Sequence, residues 1–126
     1  MALKISKNVG LTDVITSSNP LQTQHINTGE AKETRVFLFN DTAANRYESI
    51  VITAVDTSGT NEASWVQFAP DNNGTAGTYS ATLNMANISD NNVAKPFWVK
   101  VTNPSGTTAL NKTDLNINVS ANEFAV

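Results

Sequence analysis

Histidine is the side chain most often used for proton transfer near neutral pH, and this sequence contains one, His25. A catalytic histidine needs a nucleophile to activate, and a metal-binding histidine needs further ligands. His25 lies in the polar segment QTQHINT, and the sequence has neither cysteine nor a second histidine. It also lacks the G-x-S-x-G motif of a serine nucleophile. We therefore predict that His25 is a surface residue, that there is no catalytic residue, and that the protein is not an enzyme.

The segment Asp71-Asn72-Asn73-Gly74 resembles the first residues of a calcium-binding loop. Such a loop supplies further oxygen ligands and a bidentate glutamate after its glycine. The residues that follow here, TAGTYSATL, contain no carboxylate. We predict a tight turn with Asn73 in the left-handed conformation, and neither a metal nor a cofactor. A weak calcium site shared with residues 89–92 is the alternative.

Aromatic side chains that carry a polar atom could recognise a sugar or a partner protein; they are Tyr47, Trp65, Tyr79 and Trp98. In the segment PFWVKV, the alternation of a strand directs Trp98 and Lys100 to the face opposite Phe97. A lysine ammonium is costly to bury, so this face is predicted to be the wetter one. We take Trp98, Lys100 and Trp65 as candidate partner-binding residues, with a protein contact favoured over a sugar.

The bulk composition excludes several classes of protein. The chain has 126 residues, a formal charge of −3 and no cysteine, so disulfides and thiolate metal sites are impossible. Its eight Lys and Arg residues are scattered, which argues against a nucleic-acid surface. No apolar run approaches the roughly 20 residues that span a membrane. The opening MALKISKNVG lacks the apolar core of a signal peptide, so synthesis in a cytoplasm without cleaved export is expected.

The elements that must position these side chains are predicted to be strands. Short alternating or β-branched segments, from ALKISK to LNINV, are separated by turn signals about every 8–12 residues. We predict one all-β domain, residues 1–126, folded as an immunoglobulin-like antiparallel β-sandwich of about 7–9 strands, with a closed barrel as the alternative. Residues 1–30 form a candidate extended N-terminal segment, and ALKISK is a candidate for strand addition to a partner.

Three segments carry more specific expectations. TRVFLFN has four consecutive apolar residues and is predicted to be covered on both faces or packed at an edge. SWVQFAP is predicted to end as a strand at Pro70. KPFWVKVTNPSGTTALNKTDLNINVS is predicted to be two neighbouring strands joined by a turn at residues 103–106. The core-facing residues of these two strands are predicted to be Phe97, Val99, Val101, Leu115, Ile117 and Val119.

Several phrases of the sequence resemble a known family. FLFND leading into RYE, then SWVQFAPD, and KPFWVKV before LNINV are similar to small immunoglobulin-like virion structural proteins of tailed bacteriophages. The similarity runs roughly from Thr34 to the end of the chain. It implies an accessory role in the virion, on the head surface or on a tail or fibre. None of the phrases is a catalytic or binding signature.

The expected function is therefore that of a capsid decoration (cement) protein, located in the virion. Its expected partner is the major capsid protein or another virion protein, with a homo-oligomer as a further possibility and neither nucleic acid nor membrane. Two alternatives are kept. One is a tail, baseplate or fibre-associated structural domain, and the other is a carbohydrate-binding or host-adhesion module.

Overall fold

The computed structural model describes residues 3–16, 18–19, 21, 23–25, 31–56, 65–102, 110–112 and 115–126. Ten strands and no α-helix lie within these residues, slightly more strands than predicted because four of them are only two or three residues long. The strands are β1 (Leu3–Ser6), β2 (Thr23–His25), β3 (Ala31–Asn40), β4 (Asn45–Asp56), β5 (Val66–Asn72), β6 (Thr75–Ala76), β7 (Leu83–Met85), β8 (Lys95–Thr102), β9 (Leu110–Lys112) and β10 (Leu115–Ala125).

The strands form two antiparallel sheets that enclose one core. The larger sheet has five strands in the order β1-β3-β8-β5-β6, and the smaller has three in the order β10-β4-β7. A further pair joins β2 to β9. All of these pairings are antiparallel. The prediction of an all-β sandwich is confirmed.

The core is built from the inward side chains of both sheets. Val36, Leu38, Phe68 and Phe97 come from the larger sheet, and their counterparts from the smaller sheet include Ile52. The rings of Phe68 and Phe97 are tilted, with centroids 6.3 Å apart. The apolar area that these residues remove from water is the main term that stabilises the sandwich.

Strand β3 is covered on both faces, as its apolar run predicts. Val36 and Leu38 point into the core, whereas Phe37 and Phe39 alternate to the opposite face and are nevertheless buried. The strand lies between β1 and β8 in the larger sheet. Its four consecutive apolar residues are thus explained by burial on two sides.

The prediction that KPFWVKV and LNINVS are neighbouring strands is wrong. Strand β8 lies between β3 and β5, whereas β10 pairs with β4 in the other sheet. Phe97 is buried, and Ile117 and Val119 pack against the core from the opposite side. Two strands that face one core have the same alternation whether they are neighbours or opposed, so periodicity could not separate the two cases. The turn at residues 103–106 and the side chain of Leu115 lie outside the described residues.

The prediction that Pro70 ends its strand is also wrong, because β5 continues to Asn72. Phe68 exchanges two backbone hydrogen bonds with Ser80, on the side of β5 away from β8. Pro70 is two residues further on, so its backbone points the same way, and its carbonyl accepts a bond of 2.8 Å from Gly77 N–H. The missing N–H of Pro70 therefore removes no hydrogen bond between β5 and β8, and it lies opposite Gly77, just past the end of β6.

The turn predicted at Asn73 is confirmed. Strands β5 and β6 are joined by Asn73 and Gly74, whose φ angles are 56° and 92°. A two-residue hairpin loop with positive φ at both positions has the geometry of a type I′ turn, for which Asn-Gly is the preferred pair.

The first described residues, from Leu3 onward, belong to the chain's own sandwich. Strand β1 pairs with β3 along all four of its residues, and Leu3, Ile5 and Leu21 join the core. The chain then returns along β1, since Ile15 N–H donates to the carbonyl of Ile5. Because β1 pairs within its own sheet, the hypothesis that it adds to a partner's sheet is not carried further.

Candidate functional site

Trp98 and Lys100 lie together on the face of the larger sheet that is directed away from the core. The burial of β8 alternates, with Phe97 and Val99 buried and the residues between them half-exposed. Across the strands, Trp98 lies beside Arg35 and Ala69, and Lys100 lies beside Glu33 and Gln67. We call this surface, formed by Glu33, Arg35, Gln67, Ala69, Asp71, Tyr79, Trp98 and Lys100, the outer face.

Asp71, near the end of β5, connects three strands on the outer face. Its Oδ1 accepts a hydrogen bond of 2.9 Å from Trp98 Nε1 and lies 3.2 Å from Arg35 Nε. Its Oδ2 accepts bonds from Arg35 Nη2 at 3.2 Å and from Gly74 N–H at 3.3 Å. Both carboxylate oxygens thus accept hydrogen bonds from donors of the chain itself.

The same contacts shift the pKa of Asp71. Removal of the carboxyl group from water would raise its pKa, but the hydrogen bonds from Trp98 and Gly74 and the charge of Arg35 favour the ionised form more strongly. The net effect is a pKa below the ordinary value. The carboxylate is therefore charged at neutral pH and holds the indole and the guanidinium in fixed positions.

Tyr79 and Lys100 form a second contact on this face. Lys100 Nζ lies 4.3 Å from the centroid of the Tyr79 ring, within the range of a cation–π interaction. The Tyr79 hydroxyl is buried and makes no hydrogen bond of ordinary geometry. Burial raises the pKa of Tyr79 to about 12, and the negative charge of nearby Glu33 adds to this rise. Tyr79 is therefore neutral at physiological pH.

The remaining aromatic candidates lie elsewhere. Trp65 is half-buried and packs against the core cluster. Tyr47 is completely buried, and its hydroxyl donates to Glu123 Oε1 at 2.6 Å. The structure thus places Trp98 and Lys100 on one face of β8, whereas Trp65 and Tyr47 pack with the core. His25 lies in β2 opposite Leu110, and its side chain lies outside the described part of the structure.

Reasoning from the sequence missed Arg35 and Asp71. Neither is near Trp98 in the sequence, and their proximity depends on how β3 and β5 pair with β8. The sequence predicts a turn that begins at Asp71 but assigns the side chain no contact with Trp98. The alternation of the strand directly before it is the signal that could have placed Asp71 on the outer face. Arg35 had no local signal beyond its outward position in TRVFLFN.

The chain matches no protein-family model, no curated protein and no solved structure at a significant level. Fold and surface therefore define the class: a small antiparallel β-sandwich with a tryptophan, a lysine, an arginine and an aspartate on the outer face of its larger sheet, and the ring of Tyr79 beside the lysine. Within the described residues, no helix is long and apolar enough to cross a membrane. Those residues also contain no cluster of three or more side chains suited to a metal ion.

Proposed function

We propose that this chain is a non-enzymatic structural protein of a tailed bacteriophage particle, and that it decorates the head by binding the major capsid protein. The observation that carries the proposal is the outer face, where half-exposed Trp98 is held beside Arg35 and Lys100 on a rigid sheet. Tryptophan, tyrosine and arginine are the residues that most often dominate protein–protein contacts. The resemblance of the sequence phrases to phage virion proteins supplies the virion context.

The connection of the strands supports this resemblance, and we infer an immunoglobulin-like topology. In immunoglobulin sandwiches, strands A, B, E and D form one sheet and strands C, F and G the other. If β1, β3, β4, β5, β8 and β10 are read as A to F, the larger sheet has the order A-B-E-D and F lies beside C. The chain departs from this pattern at β7, which pairs with the other edge of β4. It departs again beside β10, where no described strand takes the position of G.

The preorganisation of the outer face favours a protein partner. Asp71 holds the Trp98 indole and the Arg35 guanidinium in place before any partner arrives. Ordering a long side chain on binding costs about 0.5–1.5 kcal/mol, and a side chain that is already fixed avoids much of that cost. On a particle with many equivalent subunits, modest contacts of this kind are sufficient for stable retention when several act together.

The contacts around the rings favour a protein over a sugar. A sugar-stacking platform needs a free aromatic face, but Lys100 lies over the ring of Tyr79. Trp98 is half-buried and tied by its nitrogen to Asp71. The carbohydrate-binding module is therefore the second proposal, and quenching of tryptophan fluorescence by sugars would favour it.

The test is co-sedimentation of the purified protein with phage heads that lack it. We expect binding, and we expect Trp98→Ala to weaken it by about tenfold or more, as at a central contact residue. Phe124→Ala is the matched control, because Phe124 is also an aromatic residue beside an arginine, with Arg46 Cζ 4.5 Å from its ring centroid. Thermal melting would establish that both variants are folded, and Trp98→Phe retains a ring should Trp98→Ala unfold.

Each outcome separates the alternatives. Sedimentation with tails but not with heads would show that the protein is a tail-associated domain and does not decorate the head. Equal binding by Trp98→Ala and Phe124→Ala would show that the outer face is not the contact surface. Binding to no phage particle at all would overturn the virion proposal.

A further inference from the structure

Among the described residues, strand β10 forms one edge of the smaller sheet. It spans Leu115–Ala125, 11 residues, and within the described part of the chain it pairs only with β4. Every second residue of such a strand directs its backbone N–H and C=O away from the partner strand. The pairing is regular from Leu115 to Ser120, before a register shift. This stretch is a continuous row of backbone donors and acceptors that another strand could join.

Natural sheet edges are normally protected, and the sequence of β10 lacks the usual protective residues over most of its length. Charged side chains, prolines and very short strands are the usual devices that prevent one edge from pairing with another. The segment LNINVSAN at residues 115–122 contains no charged residue and no proline. The opposite edge of the same sheet, β7, has only three residues, and β6 at the edge of the larger sheet has two. Of the described strands at the edges of the two larger sheets, β10 is the longest.

An apolar groove runs beside this edge. Its volume is about 250 Å³, and it lies between β1, the returning chain and β10. Six of its lining residues are apolar and two are polar: Leu3, Ile5, Val14, Ile15, Ile117 and Val119, with Lys4 and Thr16. Ile117 and Val119 are only half-buried. A strand alongside β10 would satisfy the backbone row and would also remove these side chains from water.

We propose that the occupant of this edge is a second copy of the chain, with the two β10 strands paired antiparallel about a two-fold axis. Closed two-fold dimers are the commonest oligomers, and such an interface places the same segment of both copies together. Like charges directly opposite each other destabilise a strand pair, and this segment has none. Exposed Asn118, when centred on the axis, meets its own counterpart, and an amide can both donate to and accept from another amide.

The smaller sheets of the two copies then form one sheet that continues through both molecules. The grooves of the two copies meet at the axis. This inference does not depend on the proposed function. It uses the smaller sheet, whereas the proposed capsid contact uses the larger one.

A charge swap at Asn118 tests the dimer. Analytical ultracentrifugation should find the wild-type protein as a dimer. Asn118→Lys alone and Asn118→Glu alone should each be monomeric, because two like charges meet at the axis, and an equimolar mixture of the two variants should restore the dimer. The matched control is Asn84→Lys, an exposed asparagine on β7 at the other edge of the same sheet, which should remain dimeric.

The Asn118 variants should fold, since this side chain is exposed and its hydrogen bond within the described residues is long, 3.4 Å from Nδ2 to Thr53 Oγ1. The same swap made with Asn118→Arg and Asn118→Asp is a second pair of variants if the first pair melts early. A wild-type protein that is monomeric across the measurable range of concentrations would overturn the proposal. So would a dimer that survives both single charges, a mixture that fails to restore it, or a monomeric chain whose β10 edge is bound by a strand of another protein.

Discussion

A buried amide, Asn40, holds two loops against the end of β3. Its side-chain nitrogen donates to the carbonyls of Asn45 and Asp90, and its side-chain oxygen accepts from Thr42 N–H. Its backbone carbonyl accepts from Asn92 N–H. A residue that is only 1% exposed is thus fully used in hydrogen bonding, which is the condition under which a polar group can be buried without a large cost.

At the same scale, Asp71 predicts a pH dependence of stability. Its pKa is lower in the folded than in the unfolded chain, so its stabilising effect is present above the unfolded pKa, about 3.9, and is lost as the pH falls through the folded value. We expect the melting temperature of the wild type to exceed that of Asp71→Asn at neutral pH, with the difference shrinking below about pH 4.

The control for Asp71 is Asp90→Asn, which removes an exposed ion pair with Lys95, 2.8 Å long. Exposed pairs contribute about 0–1 kcal/mol, so this variant should differ little from the wild type at neutral pH. A difference between the wild type and Asp71→Asn that stays constant from neutral to acid pH would contradict the role assigned to Asp71.

At the scale of the elements, Gly77 allows the chain to pass close to β5. A Cβ atom at this position would lie 2.9 Å from Pro70 Cγ and 3.3 Å from Pro70 Cδ. The proline ring is stiff, and the hydrogen bond from Gly77 N–H to Pro70 keeps the two segments together. We expect Gly77→Ala to lower the free energy of unfolding by about 1–3 kcal/mol, as for an overpacked site.

Urea denaturation would measure this loss, with Gly10→Ala as the matched control. Nothing lies within 4 Å of a Cβ atom at Gly10, so that variant should be neutral or slightly stabilising. Addition of Pro70→Ala to Gly77→Ala should recover part of the loss, because it removes the ring that the new methyl group meets. No recovery would mean that the backbone of Gly77, and not its contact with Pro70, is responsible.

The strands and their inward faces could be predicted from the sequence, but their neighbours could not. The alternation of β8 correctly placed Phe97 inside and Trp98 outside. It carried no information about which strand lies alongside, so β10 was assigned to the same sheet as β8. The outer face was predicted in part for the same reason: Trp98 and Lys100 are on one strand, whereas Arg35 and Asp71 reach them only through strand pairing.

At the scale of the whole molecule, Phe97 lies in the core enclosed by the two sheets. It is completely buried and packs against Phe68. We expect Phe97→Ala to cost about 3–5 kcal/mol, a large part of the roughly 5–15 kcal/mol that stabilises a domain. Denaturant unfolding would measure the loss, and Phe124→Ala, at a residue that is 40% exposed, should cost less than about 1 kcal/mol. Equal losses for the two variants would contradict the assignment of the core.

The order of the strands also constrains how the chain reaches its fold. Strand β3 pairs with β8, and β4 pairs with β10. In both pairs the second strand lies much later in the sequence than the first. Pairings between such distant segments require the closure of long loops before any contact is gained, which slows folding relative to local hairpins. During synthesis, most of this chain would have emerged from the ribosome before either sheet could be completed. The apolar residues of β3 and β4 would therefore stay exposed, and prone to aggregation, until β8 and β10 have been synthesised.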